Sequence, residues 1–436
     1  MSASSLRPSY LAHVARLQEG YERVLASHRL DAIVLGSGAA AARSPFDDQY
    51  WPLLPTPAFA HWVPLAEPDA FLVIRAGQRP RLLRTRVDDF WEAAPRAEDD
   101  HFWDAFELLE ELPGHLERHL PTRNAVTIRR DAPLDGDPRR AQLLEDLDAL
   151  RTRKSEYEVA CLRRATERAA AGHLRAAELF AAGDPSELSL HLAYLEASAQ
   201  DDSATPYKNI VALGAHAAVL HYVSYEARAP GRADQSLLVD AGAKVLGYGS
   251  DITRTHARGQ GPAARRFAEL IAAMDRLQRT ICAEISIGLE YEALHDRSHQ
   301  LLAELLLAVG LCRGSADELV ARGVTRRFYP HGLGHSLGIT VHDVGMRPRA
   351  PRPDNAFLRT TTTIEPDQVF TIEPGLYFIP QLLERARAES AELIDWAAVD
   401  ELRPFGGIRI EDNLAIGAGG AAIRNLTRET LAAATR

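Results

Sequence analysis

The chain has little lysine and no basic cluster. Its 436 residues include 50 lysines and arginines against 60 acidic residues, which gives a net charge of −10. Only Lys154, Lys208 and Lys244 are lysines, and we take this scarcity, together with the abundant alanine, as compositional bias. Because the phosphate backbone of a nucleic acid binds basic surfaces, we expect no nucleic-acid partner.

Cysteines and long apolar segments are also scarce. The three cysteines are odd in number and far apart, which argues against a disulfide framework and favours reduced thiols. The longest apolar stretch, near Leu301–Leu311, is interrupted by Glu304 and is too short to cross a bilayer. The N-terminal residues lack the apolar core of a signal peptide. We therefore expect a cytoplasmic protein without a membrane partner.

The length suits two domains, and an apolar content of 46% gives each domain enough residues for a core. Residues 1–155 predict a smaller α/β domain, with a helix over Tyr10–Ser27. The proline- and aromatic-rich stretch Phe46–Pro64 predicts irregular backbone, since prolines remove backbone donors. Residues 156–436 predict a larger α+β domain. Short strands are predicted in the first domain at residues 32–35, 71–74, 81–83 and 125–128.

Helices with clear boundaries open the second domain. The first is predicted over Glu156–Ala182, with Gly183 as its C-cap. Asp184, Pro185 and Glu187 then predict the start of the next helix in an arrangement that resembles a capping box. Two further helices are predicted. Apolar residues recur at helical spacing and would form one face of the first: Phe267, Leu270, Ile271, Met274, Leu277 and Ile281. The second is predicted over about Glu290–Val309.

Two aspartates in the second domain lie in a predicted hairpin. Asp240 ends the apolar run Leu-Leu-Val-Asp, and Asp251 begins Asp-Ile-Thr-Arg-Thr after a glycine-rich segment. A turn near residue 245 would place Asp240 opposite Asp251, with both side chains on one face of the hairpin. Both aspartates are candidate metal ligands. Side chains alternate along a strand, so we expect Thr253 on the same face as Asp251, as a hydrogen-bond partner of the candidate ligands.

Two glutamates follow the same logic near the C-terminus. In Val-Phe-Thr-Ile-Glu, ending at Glu373, and in Gly-Ile-Arg-Ile-Glu, ending at Glu411, apolar residues alternate with polar ones. An acidic residue on a strand whose other face is apolar points into a polar cavity. Arg409 shares the face of Glu411, and we expect it to hold that carboxylate by a charge-assisted hydrogen bond.

Three histidines come from one segment, at His331, His335 and His342. The spacing of the first two resembles the zinc-binding His-Glu-x-x-His helix, but Gly332 occupies the position of the glutamate and Gly334 disfavours a helix. We therefore reject that class of zinc protease. One of these histidines is expected as a metal ligand, and the others as contacts to the substrate or to the transition state.

The candidate ligands together form an oxygen-rich set. Two divalent ions bring four positive charges, four carboxylates bring four negative charges, and a bridging hydroxide leaves the site near neutrality. The set therefore predicts a two-metal hydrolase. Its members are four carboxylates and one imidazole: Asp240, Asp251, His335, Glu373 and Glu411.

The motifs DAGA…DITRT, HGLGH…HD, TIEPG and GIRIEDN occur in this order and resemble the prolidase, aminopeptidase P and creatinase family. The resemblance extends through PYKNIVALGAHAAVLHY and FDDQYWPLLPTPAFAHWVPL, so it covers nearly the whole chain. It is strongest to long bacterial Xaa-Pro dipeptidases and organophosphorus acid anhydrolases. It implies a pita-bread C-terminal catalytic domain, a smaller N-terminal domain and a homodimer. One departure is the stretch Leu53–Pro57, where close relatives tend to carry lysine and asparagine, and it leaves substrate gating open.

The resemblance also implies a role for each ligand. Asp240 and Asp251 would bind one metal, with Asp251 bridging to the second. His335 and Glu373 would bind the second metal, and Glu411 would bridge both. The metal implied is manganese, with cobalt or zinc as the alternatives, and a carboxylate-rich set without thiolates is consistent with manganese.

The implied substrates are Xaa-Pro dipeptides, cleaved through a hydroxide that bridges the metals. Glu373 would be the general base, and His331 and His342 would stabilise the tetrahedral intermediate or orient the substrate. Arg359 occupies the position of the arginine with which prolidases bind the free proline carboxylate. His221, Arg409 and Tyr377 are further expected substrate contacts, whereas the residues leave open whether neighbours of His221, namely His216 and Tyr222, belong to the site.

Three alternatives remain open at the level of sequence. The same machinery serves aminopeptidases P, which cut longer X-Pro peptides, and enzymes that hydrolyse organophosphorus triesters. A noncatalytic protein that kept the fold is the third alternative. It predicts eroded ligand positions, and none of the five positions is eroded here.

Overall fold

The structure is a computed structural model that describes residues 6–46, 48–86, 101–129, 138–417 and 422–434. The chain divides into two compact units. The first unit comprises Met1–Cys161 with Val245–Tyr248, and the second comprises Leu162–Lys244 with Gly249–Arg436. The predicted domain boundary near residue 155 lies within the first of these segments and stays a prediction.

A mixed sheet forms the centre of the first unit. The helices and strands are α1 (Arg7–His28), β1 (Ala32–Gly36), α2 (Pro57–Ala60), β2 (Phe71–Ile74), β3 (Arg81–Thr85), β4 (Glu107–Glu111), β5 (Ala125–Ile128) and α3 (Pro138–Ala149). In the described residues of this unit the strand order is β4-β3-β2-β1-β5, with β1 antiparallel to β2 and parallel to β5.

The sequence predicted four of these strands, but not β4. Strand β4 reads Glu-Leu-Leu-Glu-Glu, and it lies at the edge of the sheet, where half-exposed acidic side chains give no alternating apolar pattern. The stretch Phe46–Pro64 also differs from the prediction, because it contains the short helix α2. Pro57 takes the first position of this helix, where a missing backbone N–H carries no cost.

The second unit combines long helices with small antiparallel sheets. Helix α4 (Glu156–Ala182) leads into this unit. The other helices and strands of the second part of the chain are α5 (Glu187–Ala197), β6 (Ile210–Leu213), β7 (Gln235–Asp240), β8 (Lys244–Val245), β9 (Tyr248–Gly249), β10 (Thr253–Arg258), α6 (Pro262–Glu284), α7 (Tyr291–Ala308), α8 (Ala316–Ala321), α9 (Val324–Phe328), β11 (Val369–Ile372), β12 (Gly375–Tyr377), α10 (Pro380–Ser390), α11 (Trp396–Leu402), β13 (Gly407–Arg409), β14 (Asp412–Ala415), β15 (Arg424–Asn425) and α12 (Leu426–Ala434). Of these, β8 and β9 each have one residue in the Val245–Tyr248 segment of the first unit. In the part of the second unit that the structure describes, the strand orders are β10-β7-β6, β11-β14-β15 and β12-β13.

The predicted apolar face of α6 is buried in the main core of this unit. Phe267 and Met274 from α6 belong to the same cluster as Phe370 and Ile372 from β11 and Ile408 from β13. Burial of each such large side chain contributes about 1.5–3 kcal/mol. The apolar faces of the strands are therefore fixed against helices, and their polar faces point the other way. No helix in the described residues is long and apolar enough to cross a membrane.

Helix α5 begins differently from the prediction. Its N-cap is Ser186, whose hydroxyl accepts a hydrogen bond from the backbone N–H of Ser189 at 3.1 Å. Asp184 lies outside the helix, and the side chain of Glu187 turns away from the helix end to other partners. Ser186 is the N-cap because it directly precedes the first helical residue. From this position its short side chain reaches the third backbone N–H of the helix.

Gly334 allows a close approach between two segments of the second unit. A Cβ atom at this position would overlap the carbonyl oxygen of Thr371 and the hydroxyl group of Tyr291. Both groups are buried, and they are joined by a hydrogen bond of 2.8 Å from the Tyr291 hydroxyl to the Thr371 carbonyl. Packing therefore requires glycine at position 334, directly before His335.

We expect Gly334→Ala to lower the free energy of unfolding by about 1–3 kcal/mol, the usual cost of overpacking a core. Urea unfolding followed by circular dichroism measures this change. The matched control is Gly183→Ala, because a Cβ at Gly183 meets no atom within 4 Å. Equal stability of the two variants would contradict the packing argument.

Candidate metal centre

Strands β7 and β10 bring two of the predicted ligands together, but in a different register from the predicted one. Asp240 pairs with Thr253 rather than with Asp251. The chain turns at Leu246 and Gly247, whose φ angles of 52° and 91° suit a two-residue hairpin turn. Because this turn is centred later than predicted, the pairing shifts by two residues. A shift of two preserves the face, so both aspartates still point to the same side.

Backbone hydrogen bonds place His335 beside Glu373. The N–H of Thr371 donates to the carbonyl of His335 at 2.9 Å, and the N–H of Glu373 donates to the carbonyl of Leu333 at 2.8 Å. His335 donates from Nδ1 to the carbonyl of Ser336 at 3.1 Å, which leaves Nε2 as its free ligand atom. This Nε2 lies 3.6 Å from Oε1 of Glu373.

Glu411 joins the set through Thr253. The backbone N–H of Glu411 donates to the carbonyl of Thr253 at 3.0 Å, and the Thr253 hydroxyl donates to Oε2 of Glu411 at 2.7 Å. Thr253 is thus the hydrogen-bond partner that strand alternation predicted. Nε2 of His335 lies 3.3 Å from Oδ2 of Asp251 and 3.8 Å from Oε1 of Glu411. The candidate ligand atoms of Asp251, His335 and Glu411 all lie within 4.8 Å of one another.

Arg409 has partners other than the predicted one. We expected it to hold Glu411, but its guanidinium donates to Oδ2 of Asp240, to the hydroxyl of Tyr377 at 2.8 Å and to the hydroxyl of Thr253 at 3.1 Å. The Thr253 hydroxyl lies between Arg409 and Glu411, since it accepts from Arg409 and donates to Oε2 of Glu411. Arg409 therefore acts on Glu411 only through Thr253, and its direct charge pair is with Asp240.

Tyr207 is part of the centre, although no motif in the sequence predicted it. Its hydroxyl donates to Oδ1 of Asp240 at 2.8 Å and also contacts Oδ1 of Asp251. Burial and the charges of the two aspartates raise the pKa of Tyr207 well above its ordinary value, so the hydroxyl keeps its proton. A lone tyrosine in a Pro-Tyr-Lys-Asn loop has no spacing signal that would have assigned it.

Burial raises the pKa values of the acidic groups in this centre. It raises the pKa of Glu373 to about 7, and it also raises the pKa values of Asp251 and Glu411. Burial alone would lower the pKa of His335, but the hydrogen bond with Asp251 and the charges of Glu373 and Asp251 raise it. Each carboxylate thus lacks the solvation that its negative charge requires.

The donor set fits a divalent cation. Oε1 of Glu411 is buried and has no hydrogen-bond partner among the described residues, although its neighbour Oε2 is bonded to Thr253. An unpartnered carboxylate oxygen in the interior is costly unless a cation balances it. Carboxylate oxygens with one imidazole suit hard and intermediate divalent ions.

The ligands open onto a cavity of about 770 Å³ in the second unit. Of the predicted substrate contacts, Tyr377 is not among the lining residues. It is fully buried behind His331, and its hydroxyl bonds to Nε2 of that histidine at 2.8 Å. The lining includes all five predicted metal ligands and also Tyr207, His221, His331, His342, Arg359 and Arg409.

The three predicted substrate histidines have different surroundings. Nδ1 of His331 donates to the carbonyl of Gly332 at 2.9 Å, and burial lowers the pKa of His331 to about 3, so this imidazole is neutral. The ring of His342 lies 4.4 Å from the ring of His335. His342 and His221 are exposed toward the cavity. Their roles toward a substrate stay predictions.

Comparison with known proteins assigns the family. A model of metallopeptidase family M24 matches residues 160–418, and a model of the Xaa-Pro dipeptidase N-terminal domain matches residues 8–132. The chain belongs to metallopeptidase family M24. The family resemblance read from the motifs and the predicted α+β pita-bread fold with a smaller N-terminal α/β domain are thereby confirmed.

Relatives within the family match over almost their whole length. The Xaa-Pro dipeptidase of Marinobacter nauticus is 43% identical over 425 residues, which cover 96% of this chain and 97% of the relative. The Xaa-Pro dipeptidase of Pseudoalteromonas atlantica is 37% identical, with 93% of this chain and 95% of the relative covered. The likeness to these two relatives therefore extends over nearly the whole of this M24 chain.

Solved structures agree on the fold. Aminopeptidase PepP of Pseudomonas aeruginosa matches with a TM-score of 0.72 at 23% identity, and 98% of each chain is covered. A zinc-substituted E. coli aminopeptidase P in complex with product matches with a TM-score of 0.69 at 24% identity, with 100% of this chain and 99% of that chain covered. At these identities the likeness concerns the fold alone.

We expect Tyr207→Phe to weaken metal binding by about 10–100-fold, as the loss of a partner of metal ligands usually does. Calorimetric titration of metal into chelator-treated protein measures the affinity. The control is Tyr10→Phe, which removes another buried tyrosine hydroxyl, one that donates to the carbonyl of Trp62 at 2.6 Å in the first unit. An unchanged affinity in Tyr207→Phe would remove Tyr207 from the centre.

Proposed function

We propose that this M24 chain is a Xaa-Pro dipeptidase that works with two divalent metal ions. The observation that carries the proposal is the convergence of the five ligand side chains on one cavity. Relatives that are 37–43% identical over nearly their full length bear the name Xaa-Pro dipeptidase. An X-Pro bond lacks an N–H, so recognition cannot use that hydrogen and must rely on the carbonyl and on the two ends of the dipeptide.

The five ligands divide between the two ions. Asp240 and Asp251 would hold one ion, His335 and Glu373 would hold the other, and Asp251 and Glu411 would serve both. Manganese is the proposed metal, with cobalt or zinc as alternatives, because the set is rich in carboxylates and free of thiolates. When bound, the ions supply Lewis acidity toward the scissile carbonyl and lower the pKa of the attacking water.

Glu373 is the proposed general base. Its side chain keeps an exposed fraction of 17% at the cavity, whereas those of His335 and Glu411 keep 3% and 2%. It is therefore the metal-ligating carboxylate of the second ion that a reacting group in the cavity can reach. Tyr377 and Gly332 orient His331, which turns this imidazole toward Glu373, with Nδ1 3.8 Å from Oε2.

The histidines and Arg359 are the proposed substrate contacts. His342 stabilises the charge that develops on the carbonyl oxygen, His331 orients the substrate, and His221 lines the pocket. Arg359 is exposed in the cavity and binds the free carboxylate of the proline residue, which restricts the enzyme to dipeptides. We further propose a cytoplasmic homodimer.

The first experiment compares Ala-Pro, Ala-Ala and Ala-Pro-Ala as substrates of chelator-treated protein before and after addition of Mn²⁺. We expect manganese-dependent cleavage of Ala-Pro alone, because only this peptide places a proline carboxylate one residue from the scissile bond. Cleavage of the tripeptide at Ala-Pro would assign aminopeptidase P activity. Bound metal without any cleavage would contradict the substrate class and direct the search to organophosphorus triesters.

We expect Arg359→Ala to raise KM for Ala-Pro about tenfold or more while metal content stays unchanged, since hydrogen bonds to charged groups contribute about 1.5–3 kcal/mol. Steady-state kinetics and metal analysis of the same preparation measure both quantities. Arg347→Ala is the matched control, because Arg347 is exposed in the same connecting segment but does not line the cavity. An unchanged KM would exclude Arg359 from the substrate site.

A further inference from the structure

The segment Leu213–Glu226, here called the β6 loop, forms one wall of the cavity. It begins at the last residue of β6, continues as a 3₁₀ helix over Gly214–Ala218 and then leaves regular structure. Leu220, His221 and Val223 from this loop line the cavity. His221 and Val223 are exposed, so packing of their own side chains does not fix their position.

One buried carboxylate, that of Glu187, binds both ends of the β6 loop through four hydrogen bonds, here called the clasp. Oε1 of Glu187 accepts hydrogen bonds from the backbone N–H of Leu213 at 2.8 Å and from Nδ1 of His216 at 2.7 Å. Oε2 accepts from the hydroxyl of Tyr222 at 2.7 Å and from the backbone N–H of Glu226 at 2.9 Å. One oxygen therefore holds the start of the loop, and the other holds its end.

The burial of the Glu187 carboxylate is balanced by the four hydrogen bonds that it accepts, two on each oxygen. Glu187 is 1% exposed, and a buried carboxylate is tolerated only when donors surround it. Glu187 is also the first residue of helix α5, where the helix dipole favours a negative charge. The rings of His216 and Tyr222 stack at 4.5 Å with an angle of 21°, which orients both donors toward the same carboxylate.

These four hydrogen bonds account for the side-chain orientations of Glu187, His216 and Tyr222. A capping box would have turned Glu187 toward the N-terminus of α5, but Ser186 alone caps this helix and leaves the carboxylate to the loop. His216 and Tyr222 were open candidates for the catalytic site. Neither lines the cavity among the described residues, because both are used to bind Glu187.

We propose that Glu187 is a positioning residue for substrate binding. It holds the β6 loop in the one conformation that presents His221 to the substrate, although Glu187 itself does not touch the cavity. The inference rests on the proposed function, in which His221 contacts the dipeptide. It adds the element that fixes this contact, in a loop whose exposed residues have no core packing of their own.

The test variant is Glu187→Gln. Its amide has one acceptor oxygen instead of two, so the NH₂ group faces either the donors at the start of the loop or those at its end. We expect faster amide hydrogen exchange in peptides covering residues 214–226 and a KM for Ala-Pro raised about tenfold, with kcat changed by less than about twofold. Metal content is expected to equal that of the parent.

The matched control is Glu226→Gln. It removes the same charge from an exposed side chain of the same loop, while its backbone N–H keeps the bond to Glu187. Exchange and KM are expected to stay at the parental values. Tyr222→Phe is a milder second variant that removes one of the four bonds, and it serves where Glu187→Gln does not fold. We expect it to change exchange and KM in the same direction by a smaller factor.

A double variant separates positioning from general destabilisation. If Glu187 acts through His221, then Glu187→Gln added to His221→Ala raises KM no further than His221→Ala alone. Full additivity would overturn the proposal, and so would parental exchange in Glu187→Gln and Tyr222→Phe. Faster exchange with unchanged KM would overturn the link to the substrate. Failure of the parent to cleave Ala-Pro would instead contradict the proposed function, and the exchange result would still report on the clasp.

Discussion

The concentration of buried negative charge is the constraint on which the second unit depends. Ligand atoms of Asp251, His335 and Glu411 lie within 4.8 Å of one another, and Asp240 and Glu373 flank them in the same cavity. Carboxylates at such distances repel each other, and burial strengthens the repulsion. The fold tolerates them because rigid strands hold them in place and because a divalent cation can balance them.

The contrast between two adjacent residues illustrates this constraint. Burial raises the pKa of Glu411, whereas the pKa of Asp412 is lowered, since the charges of Arg254 and Arg428 outweigh the effect of burial there. Asp412 also accepts a hydrogen bond from Gln278 at 2.9 Å. The two side chains alternate along the chain. One carboxylate is neutralised by the protein itself, and the other is left for a cation from solution.

Rigid support extends outward from the predicted ligands in two steps. Arg409, Thr253 and Tyr207 bond directly to the carboxylates of predicted ligands, so they fix the charges at the bottom of the cavity. The walls need another device, because their exposed residues cannot be packed into a core. Glu187 supplies it for the β6 loop by accepting four hydrogen bonds from both ends of that loop. The unit therefore uses buried acids both in the candidate metal centre and to hold the β6 loop.

The sequence by itself determined the features that follow from local periodicity and residue chemistry. The apolar face of helix α6, the strand that ends before Glu373 and the ligand types were readable because alternation and helical spacing depend only on neighbours in the chain. Only the tertiary structure decided the pairing of Asp240 with Thr253, since the register depends on the turn at Leu246. The same holds for Arg409 and Asp240, which are 169 residues apart. Side-chain partners at such separations depend on how distant strands come together, and no local pattern encodes that.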